Sequence, residues 1–589
     1  MVVIEARFDD LTPRSERSFA LEDPVGVIEA RRPGELTGVL ASAEAAAGRG
    51  LWVAGFVAYE AAPGLDPHLE VRERAPDDLP LAWFALFERR RLIAPFEPVA
   101  RRDPGADATA WRPSVDRASY DAAIARIREL IAAGETYQVN HTLRLRARIE
   151  GDERALYRDL ALAQRGAVSA FLNAGRFRIL SASPELFFRL EDGRITTRPM
   201  KGTAARGRWL AEDEAIRSSL IASEKDRAEN AMIVDLIRND LGRISRPGTV
   251  ETTAMFEAER YETVWQLTST VSAELEPGTS LVDVFGALFP SGSVTGAPKV
   301  ATMRFIRELE DSPRGVYCGA VGLLAPEGSG EPRATFNVAI RTLTLDGDTG
   351  IAEYGVGGGI TFDSSAAAEY DEALAKARVL TAARPAFDLF ETLRHDQDDG
   401  FRHVDGHLDR LEDSARYFGF RFDAEDALAA LKGAVAGAAG PVRVRLTLSR
   451  DGLTVAEASA LPSAPDGPVR LALDTEPVDP SDVWLFHKTT LREPYERRRE
   501  RRPDVDDVVL TNTRGEVTES TIANLAVRLG DRWVTPPLES GLLPGSFRTV
   551  LVRDGTLEER PIAIETFRGA EAIALVSSVR GWRDAELVP

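Results

Sequence analysis

Lysine is scarce in this chain of 589 residues, which has six lysines within a total of 73 lysine and arginine residues. Arginine therefore meets the general need for positive charge. Because the arginine guanidinium stays protonated in proteins, it cannot serve as an amine nucleophile, whereas lysine can. Each lysine is accordingly a candidate for amine chemistry, and Lys201 lies between a Pro-Met pair and a Gly-Thr pair in "TTRPMKGTAARG" (196–207).

Cysteine is also scarce, and long apolar runs are missing. The single cysteine, Cys318, excludes an internal disulfide framework and a thiolate zinc site. Its context, "RGVYCGAVG", is typical of a buried strand, which argues against a cysteine-dependent glutaminase. No apolar run has membrane-spanning length, and "MVVIEARFDD" at the start lacks the apolar core of a signal peptide. The net charge of −20 argues against nucleic acid and anionic membranes as partners, so we predict a cytosolic protein.

Composition and pattern divide the chain into three regions. The hydrophobic fraction of 44% is typical of full-sized globular cores. The polar stretch "RRDPGADATAWRPS" (101–114) indicates a connector, and Pro385 interrupts a helical pattern at a boundary near 382–386. We predict an N-terminal region at 1–105, a central domain at 115–382 and a C-terminal domain at 385–589.

Two predicted helices of the central domain each carry a pair of acidic residues. Asp226 and Glu229 lie three residues apart in "EKDRAENAMIVDLIRNDLGRI" (224–244), and Glu369 and Glu372 have the same spacing in a helix at 366–380. Residues three apart share one helix face. Each pair alone is typical of a solvated surface, but two pairs that converge would supply oxygen ligands for Mg²⁺.

Two glycine-rich segments and one arginine indicate anion binding. "SGSVTGAPK" (291–299), which contains Thr295, precedes a helical run, and helix N-termini bind carboxylates. "GVGGGITF" (355–362) lacks the G-x-G-x-x-G spacing of a dinucleotide loop. Arg341 lies in the otherwise apolar "TFNVAIRTL", where a substrate carboxylate would be a suitable bidentate partner.

These segments together resemble the chorismate-utilising enzymes, which include the component I subunits of anthranilate synthase and aminodeoxychorismate synthase. The resemblance covers about residues 1–380 and follows the family order of motifs: "SASPELFFRL", "RPMKGT", "EKDRAENAMIVDLIRNDLGR", "GSVTGAPK", "YCGAVG", "NVAIRT", "GVGGGIT" and "AAEYDEALAKA". It implies an α+β fold, with large antiparallel sheets flanked by helices.

The resemblance also implies how chorismate binds. Mg²⁺ would hold the ring carboxylate, with Glu229 and Glu372 as direct ligands. Asp226 and Glu369 would act on the metal through water. The groups implied for the other carboxylate and the surrounding site are Tyr317, Arg341, Thr295 and the amides at Gly357 and Gly358.

Lys201 acquires a specific role from this resemblance, because aminodeoxychorismate synthases have lysine where anthranilate synthases usually have alanine. The lysine amine would attack C2 of chorismate, and Glu185 would protonate the departing C4 hydroxyl as the general acid. Ammonia would then add at C4 and expel Lys201, giving 4-amino-4-deoxychorismate. Gln266 departs from the family pattern, since many relatives have a histidine beside the substrate. Glutamine can donate a hydrogen bond, but unlike histidine it cannot take up and release a proton at neutral pH.

The C-terminal domain contains another lysine of interest, Lys488, just after an apolar strand. Glu519 lies in a strand-turn pattern at 508–528, and "LESGLLPGSFRTVL" (538–551) ends in a loop that opens a helix, where amides near 546 and 547 would face an anion. "HVDGHLDRLEDSARYFGF" (403–420) supplies Arg410. Its two histidines, four residues apart, are interpreted as a helix start because no further metal ligands accompany them.

These segments resemble the fold-type IV pyridoxal-phosphate enzymes over about residues 385–589. That group includes branched-chain and D-amino acid aminotransferases and 4-amino-4-deoxychorismate lyase. The resemblance implies a two-subdomain α/β fold, usually dimeric, with pyridoxal 5'-phosphate as cofactor. Lys488 would carry the cofactor, and Glu519 would keep its pyridine nitrogen protonated. The groups implied for its phosphate are Arg410 and the amides at Ser546 and Phe547.

The motifs leave open whether the C-terminal domain is a lyase or an aminotransferase. The inferred product of the first half is the lyase's substrate, which favours the lyase. We therefore predict a bifunctional enzyme that makes p-aminobenzoate, the folate precursor, and pyruvate from chorismate and ammonia, with a separate glutamine amidotransferase as the ammonia source. The alternatives are a chorismate-utilising synthase fused to a true aminotransferase, and a non-catalytic protein that binds chorismate or tryptophan.

Overall fold

The structure is a computed structural model that describes residues 4–12, 17–75, 77–96, 111–380, 385–461 and 467–588. Residues 101–110 of the predicted connector and 381–384 at the predicted boundary lie outside the described residues. The chain forms two compact units. The first comprises Met1–Ala205 and Arg217–Pro385, and the second comprises Arg206–Ile216 and Ala386–Pro589.

The first unit is built on antiparallel strands. In its described residues they are β1 (Ile4–Asp10), β2 (Arg17–Ala30), β3 (Trp52–Val57), β4 (Ala82–Ile93), β5 (Arg112–Pro113), β6 (Gln138–Arg148), β7 (Val168–Ala174), β8 (Phe177–Ser183), β9 (Leu186–Glu191), β10 (Arg194–Arg198), β11 (Met200–Ala205), β12 (Glu251–Arg260), β13 (Val264–Glu274), β14 (Gly296–Ala297), β15 (Ala320–Leu324), β16 (Ala334–Val338), β17 (Thr342–Asp346) and β18 (Ile351–Ile360). The helices are α1 (Leu36–Gly48), α2 (Arg117–Ala132), α3 (Glu153–Gln164), α4 (Leu210–Ala222), α5 (Glu224–Gly242), α6 (Leu281–Leu288), α7 (Lys299–Leu309) and α8 (Ala366–Lys376). The first residues of α4 belong to the second unit.

Consecutive pairings join these strands in the order β6–β18–β17–β8–β7–β1–β2–β4–β3–β15–β16–β9–β10–β13. β5 and β14 also pair with β6, whereas β11 and β12 pair with β13. The predicted large antiparallel sheets with flanking helices are confirmed. Strands from the predicted N-terminal region at 1–105 and from the predicted central domain share these ladders.

The strand β3 shows why the sheet is buried on both faces. Side chains alternate across a strand, so adjacent residues face opposite sides of the sheet. Val53 and Val57 pack into one hydrophobic cluster, and Trp52, Ala54 and Phe56 pack into another. All six residues of β3 are buried, which explains its continuous apolar sequence.

A fully buried ion-pair network connects Arg144 of β6 to residues that follow α7. Glu310 pairs with Arg314 at 2.6 Å and with Arg144 at 3.1 Å. The Glu310 carboxylate also accepts hydrogen bonds from the Thr142 amide and hydroxyl. Burial raises the pKa of Glu310, but the two guanidinium groups outweigh burial and lower it to about 2. The carboxylate is therefore ionised and compensates two buried positive charges.

The second unit contains two further sheets. Its strands are β19 (Leu389–Asp396), β20 (Gly400–Phe401), β21 (Val442–Leu448), β22 (Thr454–Ala460), β23 (Val469–Leu473), β24 (Asp507–Thr511), β25 (Val517–Ser520), β26 (Asn524–Leu529), β27 (Arg532–Thr535), β28 (Glu558–Glu559), β29 (Ala572–Ser577) and β30 (Gly581–Leu587). Its helices are α9 (Val404–Phe418), α10 (Ala424–Val435), α11 (Glu493–Glu500), α12 (Ser546–Arg553) and α13 (Ile564–Arg568). The strand order is β20–β19–β21–β22 in one sheet and β25–β24–β23–β30–β29–β26–β27–β28 in the other.

The second sheet mixes parallel and antiparallel pairs, and β25 also pairs with β26. These two sheets with their helices match the predicted two-subdomain α/β fold. Among the described residues, no helix is long and apolar enough to cross a membrane.

The buried network predicts a large effect of Glu310→Gln on stability. This change keeps the side-chain volume but leaves Arg144 and Arg314 without their buried counter-charge, so the free energy of unfolding should fall by about 3–5 kcal/mol. Chemical denaturation would measure the change. Glu129→Gln is the control, because Glu129 pairs with Arg126 on the exposed face of α2 and should change stability by less than about 1 kcal/mol. Equal effects of the two variants would contradict the prediction.

Two candidate active sites

Most site residues predicted in the first half line one cavity of about 290 Å³. The predicted residues at its surface are Glu185, Lys201, Asp226, Glu229, Tyr317, Arg341, Gly357, Gly358, Glu369 and Glu372. They come from strands, loops and two helices that are far apart in sequence. The sheet therefore brings together the residues that the motifs singled out.

Lys201 projects into this cavity from β11, which pairs with β13 across a register irregularity between Met200 and Thr203. Its side chain is 14% exposed, and its amine lies 3.9 Å from the Glu229 carboxylate. Burial lowers the pKa of Lys201, although the nearby carboxylates oppose that shift. The Lys201 amine therefore loses its proton more easily than the amine of a surface lysine.

Glycines in β18 make room for two of the functional side chains. A Cβ at Gly359 would overlap the Lys201 amine, and a Cβ at Gly355 would overlap the Tyr317 ring. Glycine is therefore required at these positions of β18, because neighbouring side chains approach the strand backbone too closely for a Cβ atom. The sequence shows that the glycines are clustered but does not show which side chains they accommodate.

Glu185 lies between β8 and β9 and is 3% exposed. Its carboxylate accepts a hydrogen bond of 2.5 Å from the Ser293 hydroxyl. Burial raises the pKa of Glu185 to about 7, against the opposing effects of the Ser293 hydrogen bond and the Lys201 charge. This carboxyl is therefore suited to hold a proton near neutral pH and to donate it.

Arg341 supplies positive charge to the cavity wall. It is half-buried with a backbone φ of 49°, and no carboxylate in the described part of the chain forms an ion pair with it. Its guanidinium donates to the Gln164 side chain, and burial lowers its pKa. A half-buried guanidinium without an acidic partner is a suitable binding group for a ligand carboxylate. Tyr317 lies on the same cavity surface.

The four predicted metal ligands line the cavity, and each of them contacts another group. Glu372 forms an ion pair of 2.9 Å with Lys376, and the Lys376 amine also donates to the Gly357 carbonyl at 2.8 Å. Glu369 accepts a hydrogen bond from Ser364. Within the described residues, no three acidic, histidine or cysteine side chains are gathered in a group that could hold a metal ion. The donor atoms suit Mg²⁺, whereas their present arrangement is not a coordination shell.

The loop at 291–299 contacts the cavity through other residues than the sequence interpretation named. Thr295 lies in the predicted loop, but its hydroxyl donates to the Ser291 carbonyl, and the loop reaches the cavity through Ser293 and Val294 instead. Ser293 was missed, although it lies in the quoted "SGSVTGAPK". Gln266 does line the cavity, where its side-chain oxygen accepts a hydrogen bond from Thr203.

The second unit has its own cavity, of about 660 Å³, which contains the other lysine. The Lys488 amine lies 4.9 Å from the centre of the Phe390 ring. Burial lowers the pKa of Lys488 to about 8, and the charge of Arg410 acts in the same direction. Lys488 is therefore a second buried amine that is readily deprotonated.

Glu519 lies on β25 and lines the same cavity. Its carboxyl accepts hydrogen bonds from the Asn524 amide group at 3.3 Å and from the Leu543 backbone amide at 3.2 Å. Burial raises the pKa of Glu519 to about 8, which the positive charge of Arg492 opposes. A cationic group placed beside this carboxyl would stabilise its ionised form.

The predicted phosphate groups lie at another part of this cavity. Ser546 and Phe547 begin α12, where the first backbone amides of a helix have no intrahelical acceptor. Arg410 also lines the cavity, but its Nε and Nη2 atoms donate to Glu391 at 2.8 and 2.6 Å. The sequence interpretation did not include Glu391, whose carboxylate holds Arg410 in place. His407 pairs with the same carboxylate at 2.6 Å, so the histidine belongs to this buried network.

Comparisons with known proteins identify two families along the chain. Residues 12–382 match the family of chorismate binding enzymes, and residues 388–588 match the class IV aminotransferases. Aminodeoxychorismate synthase component 1 of Klebsiella aerogenes is 41% identical over 268 residues, which are 46% of this chain and 58% of that protein. Anthranilate synthase component 1 of Aquifex aeolicus is 37% identical over 286 residues, which are 48% of this chain and 56% of that protein. The chain thus spans less than two thirds of the length of these relatives.

A solved structure shares the fold of the first half. Anthranilate synthase component I from Streptococcus pneumoniae has a TM-score of 0.54 and is 26% identical, with 63% of this chain and 93% of that chain covered. The family match at residues 12–382 covers more than half of the 589 residues and contains all the residues that line the first cavity. This protein therefore belongs to the chorismate binding enzymes, and it carries a class IV aminotransferase domain at residues 388–588.

Proposed function

We propose that the protein is a bifunctional enzyme that converts chorismate and ammonia to p-aminobenzoate and pyruvate through 4-amino-4-deoxychorismate. The observation that carries this proposal is the position of the Lys201 amine in the same buried cavity as the Glu185 carboxyl. A nucleophilic amine and a carboxyl that holds a proton near neutral pH are the two groups that substitution of a hydroxyl requires. The similarity to both aminodeoxychorismate and anthranilate synthases does not by itself distinguish these reactions.

In the first reaction the deprotonated Lys201 amine attacks C2 of chorismate. Both ring double bonds shift along the ring, the bond from C4 to its hydroxyl oxygen breaks, and Glu185 gives that oxygen a proton so that water leaves. Ammonia then adds at C4, both double bonds shift back and Lys201 departs as a free amine. Chorismate and ammonia thereby become aminodeoxychorismate and water. The lowered pKa of Lys201 and the raised pKa of Glu185 support these two roles.

The substrate carboxylates account for the remaining charged groups of the first cavity. Arg341 and Tyr317 would bind one carboxylate of chorismate. Mg²⁺ would neutralise the other, held by Glu229 and Glu372 with Asp226 and Glu369 at longer range. In this arrangement the Glu372 carboxylate must leave its ion pair with Lys376 before it binds the metal. Ammonia would come from a separate glutamine amidotransferase.

The second reaction would use pyridoxal 5'-phosphate, which supplies an electron sink for bond cleavage when it is bound. Lys488 would hold the cofactor and then move the proton at C4 of aminodeoxychorismate. Glu519 would hold a proton on the pyridine nitrogen, and Arg410 with the first amides of α12 would bind the phosphate. Cleavage at the ring ether oxygen releases the three-carbon group as pyruvate and makes the ring aromatic.

The charge of the second cavity supports a dianionic substrate such as aminodeoxychorismate. Arg443, Arg445, Arg580 and Arg583 all line it. Burial and the charges of Arg583 and Arg443 lower the pKa of Arg580, which indicates that positive charge is in excess there. The class IV match also admits an aminotransferase, which would require an amino donor for turnover.

Removal of the Lys201 amine tests the first reaction. Lys201→Ala should reduce formation of aminodeoxychorismate from chorismate and ammonia by more than about a thousandfold, with anthranilate as any residual product. The variant should still convert supplied aminodeoxychorismate to p-aminobenzoate. Lys432→Ala, which removes an exposed lysine of α10, is the control and should behave as the unmodified protein. Unchanged p-aminobenzoate output from Lys201→Ala would contradict the covalent role.

Removal of the Lys488 amine tests the second reaction. Lys488→Ala should convert chorismate to aminodeoxychorismate at the normal rate but release neither p-aminobenzoate nor pyruvate. Chromatography of the products from chorismate, ammonium, Mg²⁺ and pyridoxal phosphate would measure all three compounds. The unmodified protein should give equal amounts of p-aminobenzoate and pyruvate without an amino donor. Dependence on an added amino acid would indicate an aminotransferase instead.

The pKa of Glu185 predicts the pH dependence of the first reaction. Burial keeps this carboxyl protonated below about pH 7, so the general acid is present there and is lost as the pH rises through that value. With free ammonia held constant, the rate of aminodeoxychorismate formation should fall by about tenfold for each pH unit above both pH 7 and the pKa of the Lys201 amine, because below that pKa the rising fraction of neutral amine offsets the loss of the acid. Glu185→Gln should be slower and should lack this decline. A decline that persists unchanged in the variant would assign it to another group.

A further inference from the structure

The second unit contains one segment, Arg206–Ile216, from the sequence of the first half. A buried ion pair of 2.7 Å between Arg206 and Asp213 closes the segment on itself, and the Gly207 amide donates to the same carboxylate at 2.9 Å. The Arg206 and Asp213 side chains are 6% and 2% exposed. The segment is therefore a defined piece of structure within the second unit, only a few residues after Lys201 in the chain.

Several contacts fix this segment against the residues around Lys488. The Tyr417 hydroxyl donates to the Gly207 carbonyl at 2.6 Å, and Arg206 donates back to the Tyr417 carbonyl at 2.9 Å. The Trp209 ring packs against Phe486 with 5.1 Å between ring centres. These contacts place the segment directly beside the "FHK" sequence of residues 486–488.

His487 is the point at which the segment reaches the cofactor lysine. The Arg208 backbone carbonyl lies 3.1 Å from Nε2 of His487, and the Ser414 hydroxyl lies 2.9 Å from Nδ1. Because a carbonyl oxygen only accepts, Nε2 carries the proton and Nδ1 accepts from Ser414. The Tyr417 and Phe418 rings pack on the imidazole, at 4.5 and 4.7 Å between centres. The ring thus has one tautomer and one orientation.

The next residue, Lys488, is fixed on its other side by β19. Its backbone carbonyl accepts a hydrogen bond of 3.0 Å from the Phe390 amide. The backbone around Lys488 is therefore held at two points. The Phe390 amide binds the Lys488 carbonyl, and the side chain of the preceding residue, His487, binds the Arg208 carbonyl. Motion of His487 would move the origin of the Lys488 side chain and its amine in the cavity.

We propose that the segment Arg206–Ile216 is a positioning element for Lys488, acting through the hydrogen bond from His487 to the Arg208 carbonyl. The reactive lysine of the class IV domain then depends on a segment that the sequence assigns to the chorismate-binding half. The expected effect on the rate of aminodeoxychorismate conversion rests on the proposed lyase function. The expected effect on the pKa of the Lys488 amine does not.

The test uses full-length variants that loosen the segment or remove its hydrogen bond. Trp209→Ala removes the packing on Phe486, and His487→Leu removes both ring nitrogens. His487→Gln keeps a side-chain N–H donor for the Arg208 carbonyl and serves as the conservative rescue. Trp533→Ala is the matched control, because Trp533 packs against Trp582 elsewhere in the second unit. Tyr417→Phe, which removes only the hydroxyl, carries the test if Trp209→Ala does not fold.

Two measurements separate positioning from simple stabilisation. The first is the pH midpoint of Lys488 acylation by acetic anhydride in cofactor-free protein, followed by peptide mass spectrometry. Water that reaches the loosened site should raise this midpoint by about half a pH unit or more in Trp209→Ala and His487→Leu. The second is conversion of supplied aminodeoxychorismate, where kcat should fall by about tenfold to a hundredfold with little change in KM.

His487→Gln should recover most of both properties, and Trp533→Ala should change only the melting temperature. The proposal is overturned if Trp209→Ala and His487→Leu lower the melting temperature as Trp533→Ala does but leave the midpoint and kcat unchanged. It is also overturned if His487→Gln is as impaired as His487→Leu. A shifted midpoint without any conversion of aminodeoxychorismate, even by the unmodified protein, would support the positioning role and reject the lyase function.

Discussion

Burial of two lysine amines is the constraint on which both cavities depend. An ammonium ion removed from water loses much of its hydration, so the neutral amine is favoured and the pKa falls. Lys201 and Lys488 both show this effect, and the nearby carboxylates limit it without reversing it. Each cavity therefore needs packed walls that exclude water from the amine. The extensive sheets of both units supply those walls.

The same burial requires that other charges be compensated inside the protein. Glu310 balances two arginines of the first unit, and Glu391 balances Arg410 beside the second cavity. These carboxylates remain ionised because guanidinium groups contact them directly. By contrast, Glu185 has only a hydroxyl partner and a neighbouring lysine, so burial dominates and raises its pKa. The partners, rather than the residue type, decide which buried carboxyl carries a proton.

Backbone shape is as important as charge at the first site. β18 is paired with β6 through ten consecutive residues, and its Gly355 and Gly359 lie against the side chains of Tyr317 and Lys201. Replacement of Gly359 by a residue with a side chain would displace the Lys201 amine. At the second site, hydrogen bonds hold the backbone around Lys488. The Phe390 amide binds the Lys488 carbonyl, and the Arg208 carbonyl binds the side chain of the adjacent His487. Both arrangements restrict an otherwise flexible lysine side chain.

The sequence by itself determined the residue types, their local spacing and the elements that carry them. The carboxylate pairs at i and i+3 on two helices and the helix start at Ser546 follow from local rules that need no long-range information. The resemblance to known families also identified Lys201 and Lys488 before their surroundings were known. Tertiary structure alone decided that Ser293 rather than Thr295 faces the first cavity, that Glu391 holds Arg410, and that Arg208 reaches His487. These contacts join residues that are distant in the chain, so they depend on strand register and side-chain direction, which local spacing does not specify.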